Sequence, residues 1–271
     1  MRRRLLATTC ALLLAAVAGC GGDDTQPSTT PRTPATAPAP PAAPSARACY
    51  DLPFQAALEP TNDATPVPCT TRHTTQTLYV GQLDPLVDGH LLAVDSARLQ
   101  NQVARTCRAR TEDRLGGDEE TRRLSRLAPV WFSPSLKQSE AGALWFRCDL
   151  VYVAGPNELA PLPARTHGLL ASPKALDRFG TCATASPADR AFQRVACARK
   201  HSWRARASID LPAKARYLDK AAGKDADARC RDIDAGLAAD NLRLKWSFEW
   251  PTKEQWASGQ RYGLCWTPDP A

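Results

Sequence analysis

The chain has 271 residues, 43% of them hydrophobic and 23% charged, with a formal charge of +7 to which Arg2, Arg3 and Arg4 contribute. Beyond the N-terminal segment no apolar run approaches the roughly eighteen residues of a membrane-spanning helix, which excludes an integral membrane protein of that kind. The charge is spread over many arginines rather than clustered, a weakly basic surface suited to solubility, anionic envelope polymers or lipid headgroups.

Residues 1–20 read as a lipoprotein signal peptide. Three arginines precede an apolar run from Leu5 to Val17, interrupted only by Thr8 and Thr9 and too short to span a bilayer permanently. The run ends in Val17, Ala18, Gly19 and Cys20, where small residues admit the chain to a lipoprotein signal peptidase and the Cys20 thiol accepts a diacylglyceryl group. Cys20 is therefore the expected lipidation site and membrane contact, holding the mature chain on the extracytoplasmic face of the cell membrane. Each buried methylene contributes about 0.8 kcal/mol to such an anchor. Cys10 falls in the discarded peptide, and export disfavours nucleic acid as a partner.

Residues 21–47 hold Gly, Asp, Thr, Ser, Pro and Ala, with no aromatic residue and no aliphatic larger than Ala. They cannot bury enough apolar surface to offset ordering entropy and are expected to form a disordered, extended tether.

Two modules are expected beyond the tether, over 48–154 and 181–271, with a linker over 155–180. In the first, Thr74 to Leu83 alternates as a strand. Ser96 to Leu115 has helical spacing, with Leu99, Val103, Cys107 and Arg110 near one face, Asp95 as cap and Gly116 and Gly117 as stop. A strand ends near Trp131 and Phe132, Pro134 introduces a short helical turn, and Ala143 to Val153 forms the last strand. The second module repeats this order with a strand at Trp203 to Leu211, a helix at about Asp225 to Leu237 with Cys230, Ile233 and Leu237 on one side, and a strand from Leu242 to Trp250. The fold class is α+β: two tandem disulfide-stapled modules, each roughly β-α-β-β with a helix on an antiparallel sheet.

The repeat is also one of spacing. Val67, Cys69 and His73 match Val195, Cys197 and His201, while Pro134, Gln138, Gly142, Trp145 and Cys148 match Pro251, Gln255, Gly259, Tyr262 and Cys265. Eight cysteines remain after Cys10 and Cys20 are set aside, an even number that reads in an exported protein as a disulfide framework with on the order of a hundred formal pairings. If each copy folds within itself, the pairs are Cys49 with Cys69, Cys107 with Cys148, Cys182 with Cys197, and Cys230 with Cys265. Each would add about 3 to 4 kcal/mol in the chain-entropy description.

These motifs resemble the septum formation domain of actinobacterial envelope proteins, over most of residues 48–154 and 181–267, in two tandem copies. The resemblance implies a role near cell division or envelope assembly and carries no catalytic residues. In both copies the neighbours of the histidine depart from the usual pattern: Arg72 and Gln76 in one, Lys200 and Arg204 in the other.

No nucleophile elbow, zincin motif, phosphate-binding loop or dinucleotide-binding glycine run occurs, so no enzyme activity, catalytic residue or cofactor is expected. Glu112 with Asp113, and Asp118 with Glu119 and Glu120, read as solvated charge runs. The alternatives are a Cys/His metal-binding protein, through Cys69 with His73 and Cys197 with His201, and an uncharacterised envelope hydrolase. Disulfide formation consumes the thiolates a metal would need, which leaves no metal ligand set and gives His73 and His201 structural roles beside the disulfides. The expected function is binding or scaffolding of an envelope or division protein or a cell-wall polymer. The candidate contacts are His73, His201, Trp250 and Trp256. Trp246, Phe248 and Trp250 share a strand face and read as core, with Trp256 at the turn more exposed.

Overall fold

The computed structural model describes residues 39–172, 174–237 and 242–269. The expected signal peptide, the expected lipidation site Cys20 and the expected tether up to residue 38 lie outside them. The elements of the first half are β1 (Cys49–Tyr50), α1 (Phe54–Leu58), β2 (Thr75–Gln82), β3 (Leu86–Val87), β4 (His90–Leu91), α2 (Ala97–Leu115), α3 (Glu119–Leu124), β5 (Leu127–Phe132), α4 (Leu136–Glu140), β6 (Trp145–Gly155) and β7 (Glu158–Ala160). They are followed by α5 (Ala175–Phe179), β8 (Thr181–Ala183), β9 (Arg194–Ala196), β10 (Trp203–Asp210), α6 (Lys220–Leu237), β11 (Ser247–Glu249), α7 (Lys253–Ala257) and β12 (Tyr262–Pro268).

Two five-stranded antiparallel sheets and a small β3-β4 hairpin result among the described residues. The first runs β1-β2-β6-β5, with β7 also on β6; the second runs β11-β12-β10-β8-β9. The chain is α+β, as its patterning indicates. Register corresponds between the sheets. Thr77 faces Asp149 and Tyr79 faces Cys148 across a bulge, while Ala205 faces Trp266 and Ala207 faces Cys265 across another. Trp131 and Phe248 occupy the same place on the outer side of those two cysteines. A bulge shifts which residues face the core, so its recurrence keeps the inward rows of both sheets in step.

The helices form where apolar residues recur at four-residue spacing. In α2 the buried stripe is Leu99, Val103, Cys107, Thr111 and Leu115. Arg110, expected on that face, is exposed with its guanidinium over the Tyr79 ring at 4.4 Å. Ser96 rather than Asp95 is the N-cap residue, and its hydroxyl makes no capping bond. Helix α6 starts earlier than expected, because the Asp219 carboxylate accepts from the amides of Ala221 and Ala222. Its stripe is Ala222, Ala226, Cys230 and Asp234, and Leu237 is 58% exposed.

The short turns α4 and α7 share one construction. Ser135 and Thr252 each accept from the glutamine amide three residues on, Gln138 and Gln255, whose side chains accept in return from the cap amide. This capping box satisfies otherwise orphaned groups. Gly142 at φ 90° and Gly259 at φ 99° then turn the chain into β6 and β12, in a region that disfavours residues with a Cβ.

The expected linker over 155–180 is packed structure. Leu159, Leu162, Leu170, Ala175 and Phe179 are buried, and four of these join Leu115, Leu127, Leu150, Tyr152 and Ala196 in one core cluster. Leu124 of α3 is buried among Ala183, Ala205, Leu264 and Trp266 of the second half. A buried leucine contributes about 2 kcal/mol, so these contacts join the halves, and the described residues form one compact unit.

Candidate functional site

The eight cysteines close as Cys49–Cys69, Cys107–Cys148, Cys182–Cys197 and Cys230–Cys265, the pairing inferred from the repeat. The second and fourth staple a helix to a central strand of a sheet, Cys107 of α2 to Cys148 of β6 and Cys230 of α6 to Cys265 of β12. The first and third pin the opening strand of each half beside the histidine turn.

His73 and His201 occupy matching turns. The Nδ1–H of His73 donates to the Thr71 carbonyl at 2.8 Å, and that of His201 to the Arg199 carbonyl at 2.6 Å. The acceptor can only be the carbonyl oxygen, which places the proton on Nδ1. His73 is fully buried, whereas His201 turns Nε2 to the Asp269 carboxylate at 3.3 Å. Asp269 also accepts from Arg206 at 3.0 Å. Cys182, His201 and Asp269 bring potential metal-ligand atoms within 4.8 Å of one another, but the Cys182 sulfur is bonded to Cys197 and is no thiolate. This leaves two donors, short of the four a structural zinc site uses.

Trp250 and Trp256 belong to an aromatic cluster. Their centroids lie 5.9 Å apart, and Tyr217 stands 6.4 Å from the first and 5.9 Å from the second. Trp256 is half-buried rather than standing free, with the Arg261 guanidinium 4.0 Å over its ring. Only Ser247–Glu249 pair as a strand, so Trp246 and Trp250 flank it, and both pack with Phe248 against the core under α6. Gly223 lets α6 approach, since a Cβ there would meet the Trp250 indole at 3.2 Å.

Of the two expected solvated charge runs, Glu112 and Asp113 are exposed, whereas the second run does structural work. Asp118 caps α3 by accepting from the Thr121 amide at 2.7 Å, and the hydrogen bonds from Thr121 hold its carboxyl below the usual range. Glu120 reaches across to the second half, accepting from the Ser208 amide at 2.6 Å and from the Ser208 hydroxyl.

Where the halves meet, a cleft of about 520 Å³ opens between α2, α3 and β5 on one side and the turn before β12 on the other. Arg123 is consumed internally, paired with Glu119 at 2.5 Å and Asp210 at 2.8 Å and stacked on Tyr262 at 4.2 Å. Arg108, Arg122 and Arg261 also line the cleft, and none of them pairs with a carboxylate among the described residues. Burial pushes the Tyr262 phenol up, so it stays a neutral hydrogen-bond donor and acceptor. Neither Arg261 nor Tyr262 was expected from the sequence as a binding contact, and no spacing joins them to Arg108 and Arg122, which come from the other half of the chain.

Fold and site together define a doubly stapled α+β protein with an aromatic face and an arginine-lined cleft. The family described as septum formation matches residues 46–265 in one span covering both sheets, and the chain belongs to this family. No curated protein and no solved structure matches it. No helix among the described residues is long and apolar enough to cross a membrane.

Proposed function

We propose that the chain is a lipid-anchored protein of the extracytoplasmic membrane face, without catalytic activity, that binds an envelope or division component during septum formation or wall assembly. Family membership supports the septal or wall setting, and the lipobox at Cys20 supports the anchor. Four disulfides fit an oxidising compartment. We further read the two halves as copies of one ancestral module within a single family domain; the shared strand order, bulge register and disulfide placement support this.

The observation that carries the binding role is the half-buried cluster of Tyr217, Trp250 and Trp256 capped by Arg261, rigid rings suited to stacking on sugar or clamping a peptide. The test is photo-cross-linking in native membranes, comparing wild type with Trp256→Ala and checking the fold by thermal unfolding. Loss of the cross-linked product with the fold intact supports the role; an unchanged product removes it. Labelling with radioactive palmitate, with and without Cys20→Ala, tests the anchor: label persisting in the variant refutes it.

A further inference from the structure

We infer that the cleft between the halves is an oxyanion-binding site for an acidic glycopolymer of the envelope, held through Arg108, Arg122 and Arg261 with Tyr262 at its edge. The inference rests on the binding role above and names the chemistry of what is bound.

Three features carry it. First, no carboxylate closes an ion pair on these arginines. Arg108 is exposed and makes no ion pair or hydrogen bond among the described residues, and the Arg122 guanidinium donates to the Gly117 carbonyl and sits in the field of the Asp118 carboxylate without forming an ion pair with it. Arg261 donates to the carbonyls of Trp256 and Gln260 at 2.7 and 3.0 Å. The carboxylates Glu119 and Asp210 are already engaged by Arg123, leaving Glu112 as the one lining acid without a basic partner. Guanidinium groups match phosphate and carboxylate oxygens with paired donors.

Second, the cleft exists only when both halves are assembled. Arg108 and Arg122 come from α2 and α3, whereas Arg261 and Tyr262 come from the turn leading into β12. The Glu120 bonds to Ser208 and the Arg123 bond to Asp210 hold these walls in fixed relation. Third, the cleft continues into the aromatic face, because Arg261 lines the one and covers Trp256 of the other. An anionic subsite beside stacking rings suits a charged sugar chain better than an acidic peptide, since ring faces pack on the apolar faces of sugars.

Phosphate-linked and uronic polymers present the same oxyanion chemistry, and the experiment separates them. Full-length protein in detergent micelles is titrated calorimetrically at low salt with a phosphodiester-linked hexose oligomer, oligogalacturonate and oligoglutamate. The glycopolymer site requires one or both of the first two to bind more tightly than oligoglutamate, and to weaken on adding 0.5 M salt as screened charge must. Arg108→Ala and Arg122→Gln should each raise Kd about tenfold, the loss expected of one charge-assisted contact. Glu112→Gln should tighten binding, and Arg98→Ala, whose side chain pairs with Asp88 outside the cleft, should leave it unchanged.

A phosphate preference assigns one polymer source and a uronate preference the other. Tighter binding of oligoglutamate, indifference to Arg108→Ala and Arg122→Gln, or no binding of either glycan probe overturns the inference. Loss of cross-linking in Trp256→Ala together with silent calorimetry would remove the cleft site and leave the binding role standing.

Discussion

The two sheets place different residues at the same interior positions. In the first, Arg147 and Asp149 of β6 are buried; in the second, register puts Leu264 and Trp266 of β12 in their places. Arg147 lies between the rings of Tyr50 and Phe132, 3.9 and 4.5 Å from their centroids, and donates to Asn62. Asp149 accepts from Thr77 at 2.8 Å and lies 3.4 Å from Arg147. Opposite Trp266 stands Ala205 instead of Thr77, which frees the volume for an indole. That indole packs edge-on against Phe192 and donates to Glu249. One backbone plan thus accepts a buried ion pair or a tryptophan, so bulge register, capped turns and disulfides hold the plan while the core side chains vary around it.

The largest expected effect tests the ion pair. Asp149→Ala should lose about 3 to 5 kcal/mol of unfolding free energy by leaving Arg147 charged and unpaired in the interior. Arg147→Met with Asp149→Leu, imitating the second sheet, should lose far less than the single variant. Urea unfolding with disulfides intact measures both, and a double variant as unstable as the single would show that packing rather than charge governs the site.

The two helix staples should behave alike. Their sequence separations are 41 and 35 residues, so removing either pair by Cys→Ala should cost about 4 kcal/mol in the chain-entropy description. A much larger loss for one pair would mean that its half depends more on the staple than on its core.

A smaller effect is one of pH. Burial raises the Asp149 carboxyl from 3.8 to about 6, against the pull of Arg147 and the Thr77 hydroxyl. Between these values the folded chain keeps a proton that the unfolded chain has lost. This group's contribution to stability therefore falls as pH rises through that window and levels off above it. Wild-type stability relative to the Arg147→Met, Asp149→Leu variant should drop by about 2 to 3 kcal/mol from pH 4 to 7. Denaturant melts at several pH values report it, and a flat difference would mean that Asp149 stays ionised throughout.

The smallest effect compares the capping boxes. Ser135→Ala and Thr252→Ala should each cost about 1 kcal/mol by leaving an amide unsatisfied at the turn. Chemical denaturation resolves a change of that size, and unequal losses would show that one turn is held by other contacts.

Much of the fold was legible in spacing. The Gln138, Gly142 and Cys148 spacing recurs at Gln255, Gly259 and Cys265, and each stretch forms one capped turn, one left-handed glycine and one stapled strand. Such motifs are legible because their partners lie within a few residues. The Leu242 to Trp250 strand was overread, since alternation reports a residue's environment and not whether a neighbour strand pairs with it. Glu120 was misread as a solvated charge because its partner Ser208 is 88 residues away.

By itself the sequence determined the α+β class, the helix and strand order of each half, the capped turns and the disulfide framework, all set by periodicity and by repeated local spacing. Only the tertiary structure decided that the expected linker packs as core, that α3 docks on the second sheet, and that Arg108 and Arg122 face Arg261 and Tyr262 across a cleft. The physical reason is that these contacts join residues far apart in the chain, whose closure is driven by burying Leu124, Leu170 and Phe179 in shared clusters and leaves no periodic mark in the sequence.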